Sequence, residues 1–114
     1  MENCLFCKII RGEIPVKKIF EDDHAVAFHD INPQAPHHIL IIPREHYCTL
    51  HEVPENRGDI LAHLFCAVSK VVIREGLMEK GYRLVINAGK NSGQEVPHIH
   101  IHLLAGRRMG WPPG

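Results

Sequence analysis

Apolar residues recur along this chain with two periods, and each change of period marks an element. Near the start Leu5 with Ile9, and Phe6 with Ile10, stand four apart, and Gly12 supplies a stop before Pro15, which predicts a short helix or turn. "VKKIFED" and "HAVAFHD" follow as two strands parted by an acidic turn at Asp22 and Asp23, so a hairpin is expected. "INPQAPHH" carries two prolines and reads as a loop, whereas "HILIIP", an apolar run ending at Pro43, reads as a largely buried strand. From Asn56 to Glu75 the residues Ile60, Leu61, Leu64, Val68, Val71 and Val72 recur at three- and four-residue steps, with Gly76 as a C-terminal stop. This is the one long helix. "YRLVINA" is a further strand, "GKNSGQEVP" a connection and "HIHIHLL" a last strand, while "RRMGWPPG" holds too much proline and glycine for regular structure. No repeat interrupts this order, which predicts an α+β fold, an antiparallel sheet with helix on one face.

Composition narrows the setting. With 114 residues, 45% of them hydrophobic, the chain is long enough for one core and too short for two ordinary domains, so one domain over 1–114 is expected. Its 13 basic and 13 acidic residues balance, and no net field favours nucleic acid or an anionic membrane. No apolar run reaches the roughly 18 residues of a membrane span. "MENCLFCKII" lacks the basic region and long apolar core of a signal peptide, so a cytoplasmic protein is expected. Disulfides are then disfavoured; Cys48 and Cys66 read as semi-buried thiols, while Cys4 and Cys7 form a CxxC that needs another explanation. The ten histidines are the anomaly.

Three of them, His98, His100 and His102, alternate with Ile99, Ile101 and Leu103. On a strand such alternation puts the imidazoles on one face and the apolar side chains on the other, buried one. A polar face that happens to be histidine is one reading, although Lys, Glu, Thr or Ser normally serve there. A second is a zinc site, since alternating imidazoles can converge on a metal that takes three protein ligands plus water. A third is covalent catalysis, because a neutral imidazole with an unperturbed pKa near ~6.5 is a competent nucleophile at physiological pH. Phosphorus suits that chemistry, as an imidazole–phosphorus bond forms readily and water can break it. The preceding loop, "NAGKNSGQE", brings Gly89 and Gly93, which allow backbone N–H groups close to anionic oxygens, but its spacing is not that of a P-loop, and a plain connection is an equal alternative.

Taken together, "HIHIHLL", "FCKIIRGEIP", "FEDDHAVAFHDINPQAPHHILIIP", "GYRLVINAGKNSGQEV" and "GRRMGWPPG" resemble the histidine triad family, specifically its Hint branch of nucleoside phosphoramidases, along nearly the whole chain. The resemblance implies a five-stranded antiparallel sheet with one long helix and a short N-terminal helix, joined across a homodimer into ten strands. It also implies hydrolysis of adenosine phosphoramidates and of lysyl- or aminoacyl-adenylate-type substrates. By that resemblance His100 would be the nucleophile carrying AMP, His102 would contact the α-phosphate and assist the leaving group, and His98 and His38 would complete a hydrogen-bonded relay. Phe6, Ile9, Phe28 and Ile31 would sandwich the purine, and Asp30 would accept from both ribose hydroxyls. Asn87 would orient the phosphate, Gly93 and Gln94 would give it backbone contacts, and Trp111 would reach the partner subunit's site.

Two positions depart from the animal pattern. Glu95, an acceptor-only carboxylate, stands where a serine is usual, which bears on the leaving group, and Pro97 replaces an aromatic residue and removes a backbone donor. In many bacterial-type members of the family two histidines complete a structural zinc site with the CxxC, and the resemblance implies His46 and His98 for that role here. Cys4 and Cys7 as apolar filler are the alternative, and a thioredoxin-like pair lacks its βαβ context. His24, His29, His37, His51 and His63 fall outside any motif and read as surface or structural. Two other functions stay open, a metallohydrolase whose triad holds a catalytic zinc, and a nucleotide-binding module with little turnover.

Overall fold

The computed structural model describes residues 3–114; Met1 and Glu2, which begin the stretch read as lacking a leader, lie outside the described residues. The elements run α1 (Leu5–Ile10), β1 (Lys18–Glu21), β2 (Ala25–His29), β3 (His37–Pro43), α2 (Asp59–Arg74), β4 (Tyr82–Val85) and β5 (Ile101–Ala105). All strand pairs are antiparallel, in the order β1-β2-β3-β5-β4, so the α+β expectation holds. No helix among the described residues is long and apolar enough to cross a membrane.

Strand alternation sorts side chains between two layers. Ala25, Ala27, Ile39, Ile41, Ile101 and Leu103 face α2, which buries Leu64, Ala67, Val68, Val71 and Val72 against them. On the opposite face Val26, Phe28, Leu40 and Ile42 meet Phe6, Cys7 and Ile9 of α1. The sheet is therefore covered on both faces, and the six-residue α1 covers only part of the second. That remaining space, beside His38 and His102, is where the site lies.

Three boundaries differ from the sequence pattern. The long helix begins at Asp59, because Glu55–Arg57 closes as a separate 3-10 turn ending at Gly58. The strand from Tyr82 leaves the ladder after Val85. The last strand begins at Ile101, so His98 and His100 precede it: Pro97 offers no N–H, and the Ile99 N–H donates to the Tyr47 carbonyl at 2.8 Å instead of to a neighbouring strand. Ile99 nonetheless keeps its place in the α2-facing core, so the alternation of faces extends beyond the ladder. Cys48 is half-buried, but Cys66 is exposed, since it lies on the solvent side of α2, where Leu64 and Ala67 face inward.

Candidate active site

His98 and His100 are buried and His102 half-buried, so the imidazole face of the histidine segment is an interior surface under α1. The Phe6 ring stands edge-on to His98 and His100, with centroids 5.8 and 5.0 Å away. Beyond Phe6 a cavity of about 710 Å³ opens, a size suited to a nucleotide. Phe6, Ile9, Phe28, Asp30, Ile31, His38, Asn87, Gly93, Glu95, His100 and His102 line it. Of these, Ile31 stands at the rim, 97% exposed. His98 does not line the cavity, and neither do Gln94 or Trp111; the last is 82% exposed.

Backbone partners fix which nitrogen of each ring carries hydrogen. The Gln34 N–H donates to His38 Nδ1 at 3.0 Å, so neutral His38 carries its hydrogen on Nε2. His38 Nε2–H therefore donates to His102 Nδ1, 2.9 Å away, which leaves His102 with a hydrogen on Nε2. His100 is the reverse: its Nδ1–H donates to the His98 carbonyl at 2.7 Å, and Nε2 keeps a lone pair. Two histidines lining one cavity thus present opposite chemistry, an acceptor and a donor.

Burial pushes every one of these rings below the ordinary histidine range, His102 to about 4 and His38 and His100 in the same direction. For His102 the neighbouring His100 and His38 add to burial while Asp30 opposes it. For His100 the opposition comes from the His98 carbonyl, Asp30 and Glu95. His38 lies 3.5 Å from Asp30 Oδ2, but a neutral ring makes that contact no ion pair. Asp30 Oδ1 accepts from the Asn32 N–H at 2.8 Å.

His98 serves a second cluster. Its Nε2–H donates to the Pro43 carbonyl at 2.9 Å, which turns the Nδ1 lone pair toward Cys4 Sγ (3.4 Å), Cys7 Sγ (3.6 Å) and His46 Nδ1 (3.1 Å). Cys7 Sγ is 3.3 Å from His46 Nδ1. Around a tetrahedral zinc with ordinary bond lengths, S···N edges of about 3.5 Å and an N···N edge of about 3.3 Å are required, so the four donors fit such an ion. Burial raises the Cys7 thiol and Cys4 raises it further, leaving a cation as the natural partner for thiolate at this point. Asp30, His38 and His102 also place donor atoms within 4.8 Å of one another. They suit a metal poorly, because ligation through His38 Nε2 would put a hydrogen on Nδ1, where the Gln34 N–H already points. The three triad histidines do not converge on one metal either, since His98 turns to the thiols and its neighbours to the cavity.

The loop before the triad is stitched internally. Gly93 takes a left-handed φ of +84°, its N–H donates to the Lys90 carbonyl and that of Gln94 to the Gly89 carbonyl. The Gln94 amide accepts from the Gly89 N–H and donates to the carbonyls of Cys48 and Val96, so this side chain holds the loop together. Outside the site, His24 and His63 stack at 3.6 Å.

Sequence reasoning missed Gln34, Leu40 and His29, which also line the cavity. Leu40 was recoverable from alternation, two positions after His38; for Gln34 the only signal is that Pro33 and Pro36 leave few N–H donors in that loop.

The sequence profile described as HIT domain matches residues 11–109. The chain belongs to the HIT-domain family. Among HIT relatives it is 46% identical over 109 residues to the purine nucleoside phosphoramidase of Escherichia coli K12, covering 96% of this chain and 92% of that protein. It is 50% identical over 112 residues to the 14 kDa zinc-binding protein of Zea mays, covering 96% and 87%. The crystal structure of a HIT family hydrolase from Legionella pneumophila Philadelphia 1 superposes with a TM-score of 0.94 at 54% identity, covering 98% of this chain and all of that one.

Proposed function

We propose that this HIT-family hydrolase acts, as one domain, on purine nucleoside phosphoramidates through a covalent nucleotidyl group on His100. The observation that carries the reading is the pairing of nitrogens: an unprotonated Nε2 on His100 and an N–H on His102 in one cavity. His100 Nε2 attacks the α-phosphorus, the P–N bond breaks, and the departing amine takes up a proton. The adduct ring is cationic, and its Nδ1–H stays on the His98 carbonyl. Water then attacks phosphorus, the N–P bond breaks, AMP leaves, and the proton that water gives up replaces the one the amine carried away. His102 Nε2–H donates to the phosphate or the leaving group throughout.

Phe6, Ile9, Phe28 and Ile31 hold the purine, and Asp30 takes the ribose hydroxyls; their positions around the cavity favour this. The E. coli relative's name supports the substrate class. Lysyl- and aminoacyl-adenylates enter the same site. Cys4, Cys7, His46 and His98 hold a structural zinc, a reading supported by their spacing and by the zinc-binding relative; the ion would clamp α1 to the segment bearing the triad. A reducing cytoplasm keeps those thiols available. The active form is a homodimer in which Trp111 reaches the partner subunit's cavity.

The test is His100→Ala assayed with adenosine 5′-phosphoramidate and, separately, for AMP binding. Turnover should fall by at least roughly a thousandfold while AMP still binds. Turnover near that of the unchanged protein would reject the nucleophile.

A further inference from the structure

The tail after β5 reaches back to the loop that sets the His38 tautomer. Arg107 donates from Nε (3.2 Å) and Nη2 (3.0 Å) to the Gln34 carbonyl, and from Nη1 to the Arg108 carbonyl. The Gln34 side chain donates to the Asn32 carbonyl at 3.2 Å. Of residues 33 to 36, two are prolines, so only Gln34 and Ala35 bring a backbone N–H to this stretch. One of those two is aimed at His38 Nδ1. At Gly106 the chain turns with φ +95° so close to the loop that an added Cβ would stand 2.7 Å from Pro36 Cβ.

We infer that Arg107 is a positioning residue for the reaction: by clamping the Gln34 carbonyl it holds the Gln34 N–H on His38 Nδ1 and so fixes the hydrogen on the cavity-facing nitrogen of His102. A neutral imidazole exchanges its two tautomers readily unless a partner selects one. Here the selection passes from Arg107 to Gln34, His38 and His102 through contacts of 3.2 Å or less. The same donor opposes protonation of the His38–His102 pair, because a hydrogen added to His38 Nδ1 would meet the Gln34 N–H. Arg107 does not line the cavity, and without the clamp the loop is free to turn that N–H away. His102 then spends part of its time with the hydrogen on Nδ1 and nothing to donate.

The catalytic arm of this inference rests on the phosphoramidase reading, but the tautomer arm does not. In Arg107→Gln, 15N NMR of the histidine rings should show the His38 and His102 nitrogens leaving their single-tautomer positions, with Arg107→Lys intermediate. kcat for adenosine 5′-phosphoramidate should fall on the order of tenfold, a fraction of the roughly 10²–10⁴ that acid–base assistance supplies, with KM little changed. Ring nitrogens in Arg107→Gln identical to those of the unchanged protein would overturn the inference, whatever the activity. So would a His38 in the unchanged protein that carries its hydrogen on Nδ1. Absence of turnover in the unchanged protein would instead count against the phosphoramidase reading, leaving the NMR result to decide this one.

Discussion

His100 and His102 stand two positions apart, yet one offers a lone pair and the other a hydrogen to the same cavity. What separates them is their second nitrogen: a carbonyl lies beside one ring, and another imidazole beside the other. Because burial lowers the pKa of His100, the nucleophile stays unprotonated below the ordinary histidine range. kcat/KM should therefore hold constant from neutral pH to below about 6.5 and fall only under more acidic conditions. An acid limb centred at or above that value would contradict the assignment. Stability follows the same sign. His98 and His102, near 4 when folded, bind protons more readily unfolded, so their contribution is complete above about 6.5 and is lost as pH falls toward 4. Denaturant melts at pH 7 and pH 5 should show the lower stability at pH 5. The roles of these two rings were partly legible in the alternation of "HIHIH", but their tautomers were not. For His102 that choice comes through His38 from Gln34, more than 60 positions away in sequence, and for His100 from the His98 carbonyl, whose direction the pattern does not give.

At the scale of elements, α1 is held by little besides Phe6, Cys7, Ile9 and the thiol–imidazole cluster. A six-residue helix has no stability of its own, so zinc, if bound, contributes directly to covering the triad. Chelation or Cys4→Ser should lower the melting temperature by about 5 °C or more and release one zinc equivalent. Residual turnover should persist, since the metal performs no chemical step; complete loss with the fold intact would point to a catalytic metal instead. The turn at Gly106 is a second small contact that positions larger parts. Gly106→Ala forces a left-handed φ on a residue with a Cβ and a clash with Pro36, and should cost roughly 1–3 kcal/mol in denaturant melts. The sequence showed β2 and β3 plainly, because their apolar runs are bounded by Asp and Pro. It placed the start of α2 and of β5 poorly, since a 3-10 turn before Asp59 and the Tyr47 partner of Ile99 carry no periodicity.

For the whole molecule, exposed apolar side chains away from the cavity include Phe65 and Ile73 of α2, Met78, and Tyr82 of the edge strand β4, 45–62% exposed. An edge strand with an exposed apolar side chain suits pairing with a second copy of the chain. Light scattering should give twice the chain mass, and truncation before Trp111 should change substrate preference more than stability; a monomer with unaltered preference would remove the partner subunit from the account. Hydrophobic patterning reports that a face is apolar without saying what covers it, so neither the proposed dimer nor the proposed role of Trp111 rests on it. The central claim remains one bond. Rapid quenching of the protein with adenosine 5′-phosphoramidate, followed by intact and peptide mass spectrometry, should show one nucleotidyl group, attached to His100 and decaying as AMP appears. AMP accumulating at full rate with His100 never modified would contradict the mechanism.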